Sequence, residues 1–593
     1  MKQFLKFTLA TITGIVVTSL LGLLFLMMLI GILASSTEKS VSVQNNSMLT
    51  IKLDGEVVDR APNDPFSSLE IPGFFVSKKI GLNDILTSID RAKDDDRIKA
   101  VYLDLSVINA APAMVEEIRN ALIAFRDSSD KPVYAYADNL SQTGYYLASV
   151  ADKLVVNPQG SIDWRGLGGE AMFFKNALEK LGIEMQVVRH GKFKAAVEPF
   201  LLDRMSDENR EQTLTYLNAL WSHMVDGISA ERGIPAEQLN QLADEVLTLR
   251  RADKALQAGM IDALQYKDEV LDDLREITGT AAGKGIPTVG VTDYAKVPVK
   301  KTPGKSGYSR NKIAVIYASG DIGMSVSGSD GISGEKLSRE IRKVRLDSTY
   351  KAIVLRIDSP GGSAYESEVI WREVMLAAQE KTVVASMSNL AASGGYYIAC
   401  AAHKIVASPL TITGSIGIFA LIPNAGELIN KKMGINVEAV KTNQHTDILS
   451  VTRPMTRFER DLMQNYIEEG YDLFISRVAD GRNMDKAEVD EVGEGRVWAG
   501  EDAMRIGLVD QLGGLNDAVE LAAELAGLEN YRTVDLPALP DPFQQLFKTG
   551  GDNVRARILK HQLGDAWAYY QSLEKSAAMS GVLARMPYDI VIR

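Results

Sequence analysis

The chain of 593 residues has a single cysteine, Cys400, so no disulfide can form within it. Cys400 follows Tyr396 by one helical turn in an apolar stretch and reads as a packing residue rather than a reactive thiol. Histidine is almost as scarce. The five histidines stand at positions 190, 223, 403, 445 and 561, and no two of them have metal-ligand spacing. Basic charge is also short: 65 Lys and Arg against 77 Asp and Glu leave a formal net charge of −12. A nucleic-acid binder needs a basic face to neutralise phosphates, so that class is excluded. There is no phosphate-binding glycine loop, and no cofactor or metal is implied.

Uncharged runs are few, and the longest lies at the amino terminus. Lys2 and Lys6 precede a run from Phe7 to Thr37 rich in Leu, Ile, Val and Met. At 1.5 Å per residue such a run spans a hydrocarbon core of about 30 Å. We expect residues 7–34 to form a single transmembrane helix in contact with the lipid bilayer. The flanking charges put residues 1–6 in the cytoplasm and the bulk of the chain on the far side. A cleaved signal peptide is the rival reading because Ala34-Ser35-Ser36 are small. The run is too long for its apolar segment, however, and Ile32 is a poor residue three positions before the cut. Residues 35–48 read as a polar tether. A second poorly charged stretch, Thr382 to Gly426, contains only Lys404 among charged residues and is broken by Pro409, Gly414, Gly417 and Pro423. It reads as buried strand and turn lining a cleft, or as core between domains.

What the chain does have is a pair of small-residue turns: Asp358-Ser359-Pro360-Gly361-Gly362-Ser363 and Asn389-Leu390-Ala391-Ala392-Ser393-Gly394-Gly395-Tyr396-Tyr397. Small residues around Ser393 let a substrate carbonyl approach its hydroxyl. Gly361 and Gly362 tolerate the tight turn that would aim backbone N–H groups at the same point. Alone, Ser-Gly-Gly also reads as a helix cap over a core face of Tyr396, Tyr397 and Cys400.

An internal repeat shifts the balance toward chemistry. Thr143-Gly144-Tyr145-Tyr146-Leu147-Ala148 aligns with Gly394-Gly395-Tyr396-Tyr397-Ile398-Ala399, Gly160-Ser161-Ile162 with Gly414-Ser415-Ile416, and Met205-Ser206 with Met455-Thr456. The two copies differ where chemistry would be. Gln142 stands at the position of Ser393, and Val107 to Ala110 replace Ser359 to Gly362. Conversely Gly191-Lys192-Phe193-Lys194-Ala195-Ala196-Val197-Glu198-Pro199-Phe200 belongs to the first copy, and its counterpart near Gln444-His445-Thr446-Asp447 has no lysine.

These motifs resemble the long, double-domain form of the signal peptide peptidase A (protease IV) family, and the resemblance covers almost the whole chain. It implies a membrane-bound serine endopeptidase that degrades cleaved signal peptides and other apolar peptides. Ser393 maps to the family's nucleophile, Lys194 to its general base, and the Gly361-Gly362 turn with Gly394 to its oxyanion donors. It further implies a Clp-protease/crotonase type of spiral of ββα units in each copy, assembly into a homo-oligomer, and a bacterial inner membrane with the catalytic domain in the periplasm.

A lysine can serve as base only when neutral, and at an ordinary pKa of about 10.4 almost none is neutral at pH 7. Burial can lower that value by about 3–5 units, and Phe193, Ala195, Ala196 and Val197 supply the apolar setting. Glu198 would oppose this if it faced the amine, so we expect it to turn away into a structural hydrogen bond. Lys192 reads as a solvated surface lysine. A Ser-His-Asp triad through His445 is the formal alternative base arrangement.

Strand and helix patterns alternate through both copies, for example strand Ala100 to Leu105, helix Met114 to Asp127, and strand Pro132 to Ala137, then strand Ala352 to Ile357, helix Glu366 to Gln379 and strand Thr382 to Met387. This makes the class α/β. We divide the chain into a first repeat at 49–295, a linker at 296–311, a second repeat at 312–540 and a C-terminal segment at 541–593, whose role the sequence does not reveal. A crotonase-type acyl-CoA enzyme would share the glycine-lined oxyanion hole without needing an anchor. A non-catalytic scaffold would not need both Ser393 and Lys194.

Overall fold

The computed structural model describes residues 2–36, 42–62, 78–297, 309–323, 331–539 and 581–586. Each copy folds around a mainly parallel sheet flanked by helices. In the first, the strand order is Ala263–Leu264, Lys153–Val156, Val133–Ala137, Ile98–Asp104, Ser47–Lys52, Thr288–Gly290. In the second, Gln511–Leu512, Lys404–Ala407, Thr382–Ala392, Tyr350–Ser359, Lys312–Ser319 and Arg532–Leu536 follow the same order. The repeat is therefore one of topology as well as sequence. The helices agree: Pro112–Ser128 and Ala364–Glu380 are both 17 residues long, and Asp207–Arg232 and Arg457–Arg482 both 26. The two long helices start alike, with the Ser206 and Thr456 side chains accepting from the third residue of each helix and so satisfying a donor that the helix itself cannot.

The copies are fused rather than merely adjacent. The first-copy strand Glu184–Arg189 leaves its own sheet and pairs antiparallel with Phe419–Asn424 of the second copy. Ala392, Ile412 and Val497 of the second copy pack into the core of the first. Arg356, fully buried on a second-copy strand, donates to Asp59 and Glu117 of the first copy and to Ser386 and Ser388 of its own. Burial of so many charges is tolerable because each is hydrogen-bonded. Removing one partner of such a cluster typically costs about 3–5 kcal/mol.

Several bounds differ from the sequence reading for physical reasons. The first strand starts at Ser47, inside the stretch read as tether, because Ser47 and Met48 already find partners in Ile98 and Ala100. The strand expected to end at Met387 runs on to Ala392, since Leu390, Ala391 and Ala392 pair with Ile412, Thr413 and Gly414. The C-terminal segment supplies a strand, Gly581–Arg585, that enters a four-stranded sheet between Gly361–Ser363 and Phe419–Asn424. Residues 298–308 of the linker and 37–41 of the tether lie outside the described residues. Lys2–Ser36 form one helix. Some of its side chains fall outside the described set, and among the described residues no helix is long and apolar enough to cross a membrane.

Candidate active site

Ser393 stands at the end of the long strand Thr382–Ala392 and directly before the helix Gly394–Ala399, with φ 56° and ψ −112°. A non-glycine residue in this region is strained, and such strain persists only where the surroundings enforce it. Here the enforcement is visible: the Ser393 N–H donates to the Gly414 carbonyl at 2.8 Å, and the Ser393 carbonyl accepts from Tyr397 N–H at 2.8 Å. The turn throws the Ser393 side chain off the sheet end toward Gly417, whose carbonyl lies 3.4 Å from Oγ.

Lys194 reaches that hydroxyl from the other copy. Its Nζ lies 2.7 Å from Ser393 Oγ, 2.9 Å from the Ser415 carbonyl and 3.0 Å from Ser415 Oγ. Neither Lys194 nor Ser393 retains exposed surface. The path of the lysine is set by the Glu184–Arg189 strand, which carries the chain into the second copy. Phe193 N–H then bonds to the Glu494 carbonyl and Gln212 clamps the Phe193 carbonyl. Gly495, at φ 83°, and Gly417 complete the slot, where a Cβ on Gly495 would stand 2.7 Å from the lysine's own backbone. Burial without a neighbouring carboxylate pushes the Lys194 amine well below its ordinary value. Glu198 is also fully buried, but its carboxylate accepts from Ser206 Oγ, Ser206 N–H and Asn209 Nδ2. Lys192 is exposed and pairs with Glu494 at 3.0 Å.

The glycines converge on the same place. Gly361 has φ 99°, and a Cβ there would stand 2.7 Å from Gly394 N and 2.2 Å from the carbonyl of Ala584. Gly362, at φ 156°, is pressed just as closely against Ile322. The Gly361 N–H is already spent on Ser359 Oγ at 3.2 Å, which corrects the expectation that it is a free donor. Its contribution is the close approach that glycine alone allows. Asp358, which opens this turn, accepts from Leu390 N–H, and burial, reinforced by the charge of Asp59, pushes its carboxyl up to about 7.

His445 stacks on Phe458 and His190 on Tyr471, and among the described residues no histidine bonds to Ser393 or Lys194. Cys400 is buried and its thiol is pushed up to about 12 by desolvation, as a packing residue should be. Sequence reasoning missed Ser415. Its Gly-Ser-Ile context was visible as part of the repeat, but only strand register shows that Gly414-Ser415 lies alongside Ser393.

Tandem α/β repeats with a buried Ser–Lys contact between them define the class, a hydrolase. The chain belongs to peptidase family S49, whose model matches residues 125–280 and 376–529, once in each copy, and it is a serine peptidase. It is 35% identical to Protease 4 of Haemophilus influenzae over 88% of this chain and 87% of that protein. It is 38% identical to Protease 4 of Salmonella typhi over 86% and 83%. To the chloroplastic serine protease SPPA of Arabidopsis thaliana it is 35% identical over 85% of this chain and 73% of that one.

Proposed function

We propose that the protein is a membrane-anchored endopeptidase that cuts apolar peptides, cleaved signal peptides among them, by a Ser393/Lys194 dyad. The observation that carries this reading is the 2.7 Å approach of Lys194 Nζ to Ser393 Oγ in a pocket that excludes water. The three neighbours of Nζ suit a neutral amine, with its lone pair toward the Ser393 hydroxyl and two N–H groups toward the Ser415 carbonyl and Oγ.

Ser393 Oγ attacks the scissile carbonyl carbon while its proton passes to Lys194 Nζ. The resulting oxyanion sits by the Gly394 N–H and the Gly361-Gly362 turn. Collapse breaks the C–N bond, and Lys194 returns the proton to the leaving amine. A water then attacks the Ser393 ester, giving its proton to Lys194; the bond between the acyl carbon and Oγ breaks, and Lys194 passes the proton to Oγ, which restores Ser393. Apolar side chains beside the site, Val197, Phe200, Phe419 and Leu421, suit an apolar substrate.

The anchor rests on the helix Lys2–Ser36, where Phe4, Phe7, Leu9, Ile12, Ile15, Leu20, Leu24 and Phe25 are all exposed, an arrangement at home in hydrocarbon. With positive charge at its start, the catalytic copies fall on the periplasmic side of a bacterial inner membrane, and a homo-oligomer is the expected assembly. Hydrolysis of a fluorogenic apolar peptide by wild type, Ser393→Ala and Lys194→Ala tests the chemistry, and undiminished turnover in either variant would end it. Digestion by added protease in spheroplasts but not in intact cells tests the topology. Digestion only after the inner membrane is broken would place the copies in the cytoplasm.

A further inference from the structure

Asp358 stands at a branch between the two halves of the site. The strands Tyr350–Ser359 and Thr382–Ala392 pair evenly from Ala352 with Thr382 to Ile357 with Met387, then break. Ser359 next meets Ala391, so a step of two residues on one strand spans four on the other. At the break the Asp358 side chain takes the place of a ladder partner, its Oδ1 accepting from Leu390 N–H at 3.0 Å. Three residues on, that strand delivers Ser393. In the other direction the Asp358 carbonyl accepts from Gly320 N–H at 2.9 Å, and Ser359 Oγ joins the Gly320 carbonyl to Gly361 N–H. One residue thus sets both the strand behind the nucleophile and the glycine turn.

The surroundings give Asp358 no cation of its own. Arg356, on the same face of the strand two residues earlier, spends its guanidinium on Asp59, Glu117, Ser386 and Ser388. Glu117 has a second partner in the N–H of Leu515, the first residue of the helix Leu515–Leu525, at 2.7 Å. Asp59 Oδ1 also accepts from Ser388 Oγ. Asp59 Oδ2, on a residue only 4% exposed, has no hydrogen-bond partner among the described residues. On the neighbouring strands Tyr317 and Asp535 complete the titratable groups on this side, and Arg60 lies 3.9 Å from Asp535. One guanidinium against three carboxylates leaves an excess of negative charge, which burial penalises. A buried, unpartnered oxygen calls for a donor, and a proton on Asp358 supplies one. Burial and the charge of Asp59, which together push the Asp358 carboxyl up to about 7, act in the same sense. Asp358 retains some surface, through which that proton exchanges with solvent.

We infer that Asp358 is a positioning residue that holds a proton in the folded protein and shares it with Asp59 of the first copy. The neutral carboxyl still accepts from Leu390 N–H through its carbonyl oxygen, and its O–H serves Asp59. On ionising, the carboxylate keeps the Leu390 bond and loses the tie between the copies, so the cost falls on stability rather than on turnover. The link to turnover rests on the dyad reading; the proton does not.

The test uses the full-length protein as wild type, Asp358→Asn, Asp358→Leu and Asp59→Asn. Infrared spectra at about pH 6 should show a protonated carboxyl that Asp358→Asn removes and that Asp59→Asn makes titrate at lower pH, because the like charge is gone. Urea denaturation gives the sign. Between the unfolded value of about 3.9 and the folded value of about 7 the native chain binds one proton more, so this group makes stability fall as pH rises, by up to about tenfold in the folding constant per pH unit. Asp358→Asn should remove that contribution. On an apolar peptide Asp358→Leu should lower kcat by at least about tenfold with KM little changed, because the reacting groups shift while the peptide still binds. Asp358→Asn, which keeps a donor and an acceptor, should recover most of the loss. An infrared band or a pH slope that is the same in wild type and Asp358→Asn would overturn the inference, as would an Asp358→Asn enzyme as slow as Asp358→Leu. If Asp358→Leu fails to fold, the infrared and denaturation contrasts between wild type and Asp358→Asn decide alone. If no protein hydrolyses peptide yet those contrasts appear, the dyad reading fails and the shared proton stands.

Discussion

The two copies share a strand order and helix lengths but treat one turn in opposite ways. In the first, Ser141 caps the helix Gln142–Ala148 with an ordinary extended backbone, and its side chain accepts from Gly144 N–H. In the second, the helix begins one residue later and Ser393 is held at φ 56° with no side-chain cap bond. Gln142, at the position of Ser393, spends its amide on Arg165 N–H, Gly166 N–H and the Gly166 carbonyl. The first copy has relaxed the turn into a stable cap. The second keeps a strained turn and a hydroxyl free of capping duty, and the strand behind it is eleven residues long where its counterpart has five. Duplication thus separated two demands that one copy would have had to meet at once: a rigid scaffold that delivers the lysine, and a strained turn that presents the serine.

The sharpest way to break this comparison is to exchange the chemistry. Ser393→Ala and Lys194→Ala should each lower kcat/KM on an apolar peptide by roughly 10⁴-fold or more, and the double variant should be no worse than either alone, as the proposed dyad requires. Gln142→Ser and Lys192→Ala should leave turnover within about twofold, since no base faces residue 142 and Lys192 is solvated. A Gln142→Ser enzyme that works without Ser393 would show that the copies are equivalent after all.

The glycine turn offers the next largest contrast. Gly361→Ala puts a Cβ against Gly394 N at a left-handed φ, and a disturbed oxyanion site typically costs about 10²–10³ in kcat. The reverse change at the matching turn of the first copy, Ala110→Gly, should leave kcat unaltered. Paired serines give a smaller effect. Ser415→Ala removes a hydrogen bond to Lys194 and should cost about tenfold in kcat, the equivalent of roughly 1.4 kcal/mol. The side chain of Ser161, its counterpart, donates to Asn139, and Ser161→Ala should be silent in steady-state kinetics.

The remaining contrast is in stability. The folded-state pKa of Lys194 lies below the unfolded value of about 10.4, so between those two values the unfolded chain binds more protons and stability rises with pH. Activity should rise across the lower part of the same window and then level off. Lys194→Met should abolish both trends, and urea denaturation at a series of pH values would reveal a slope that survives the substitution.

Much of this was legible in the sequence because it was local. The Tyr-Tyr repeat, the Ser-Pro-Gly-Gly turn and the apolar flanks of Lys194 are each written in a few adjacent residues. Even the turn of the Glu198 carboxylate away from the amine followed from asking what a nearby carboxylate would do to it. The parts that escaped depend on pairing between distant segments. Ser415 joins the site only through the register of Leu390–Ala392 with Ile412–Gly414. The crossing of Glu184–Arg189 into the second copy and the seating of Gly581–Arg585 are backbone ladders between segments hundreds of residues apart, and no local pattern encodes a partner at that distance.

The crossing strand also sets an order of events during synthesis. Lys194 is made long before Phe419–Asn424, Glu494 and Gly495 exist to receive it, and until they do it stands in water with an ordinary pKa and a proton attached. A half-made chain therefore carries a lysine that cannot act as a base. On the proposed dyad, proteolytic competence arrives only when the second copy closes around the first, so the growing chain is spared by the same fold that later arms the enzyme.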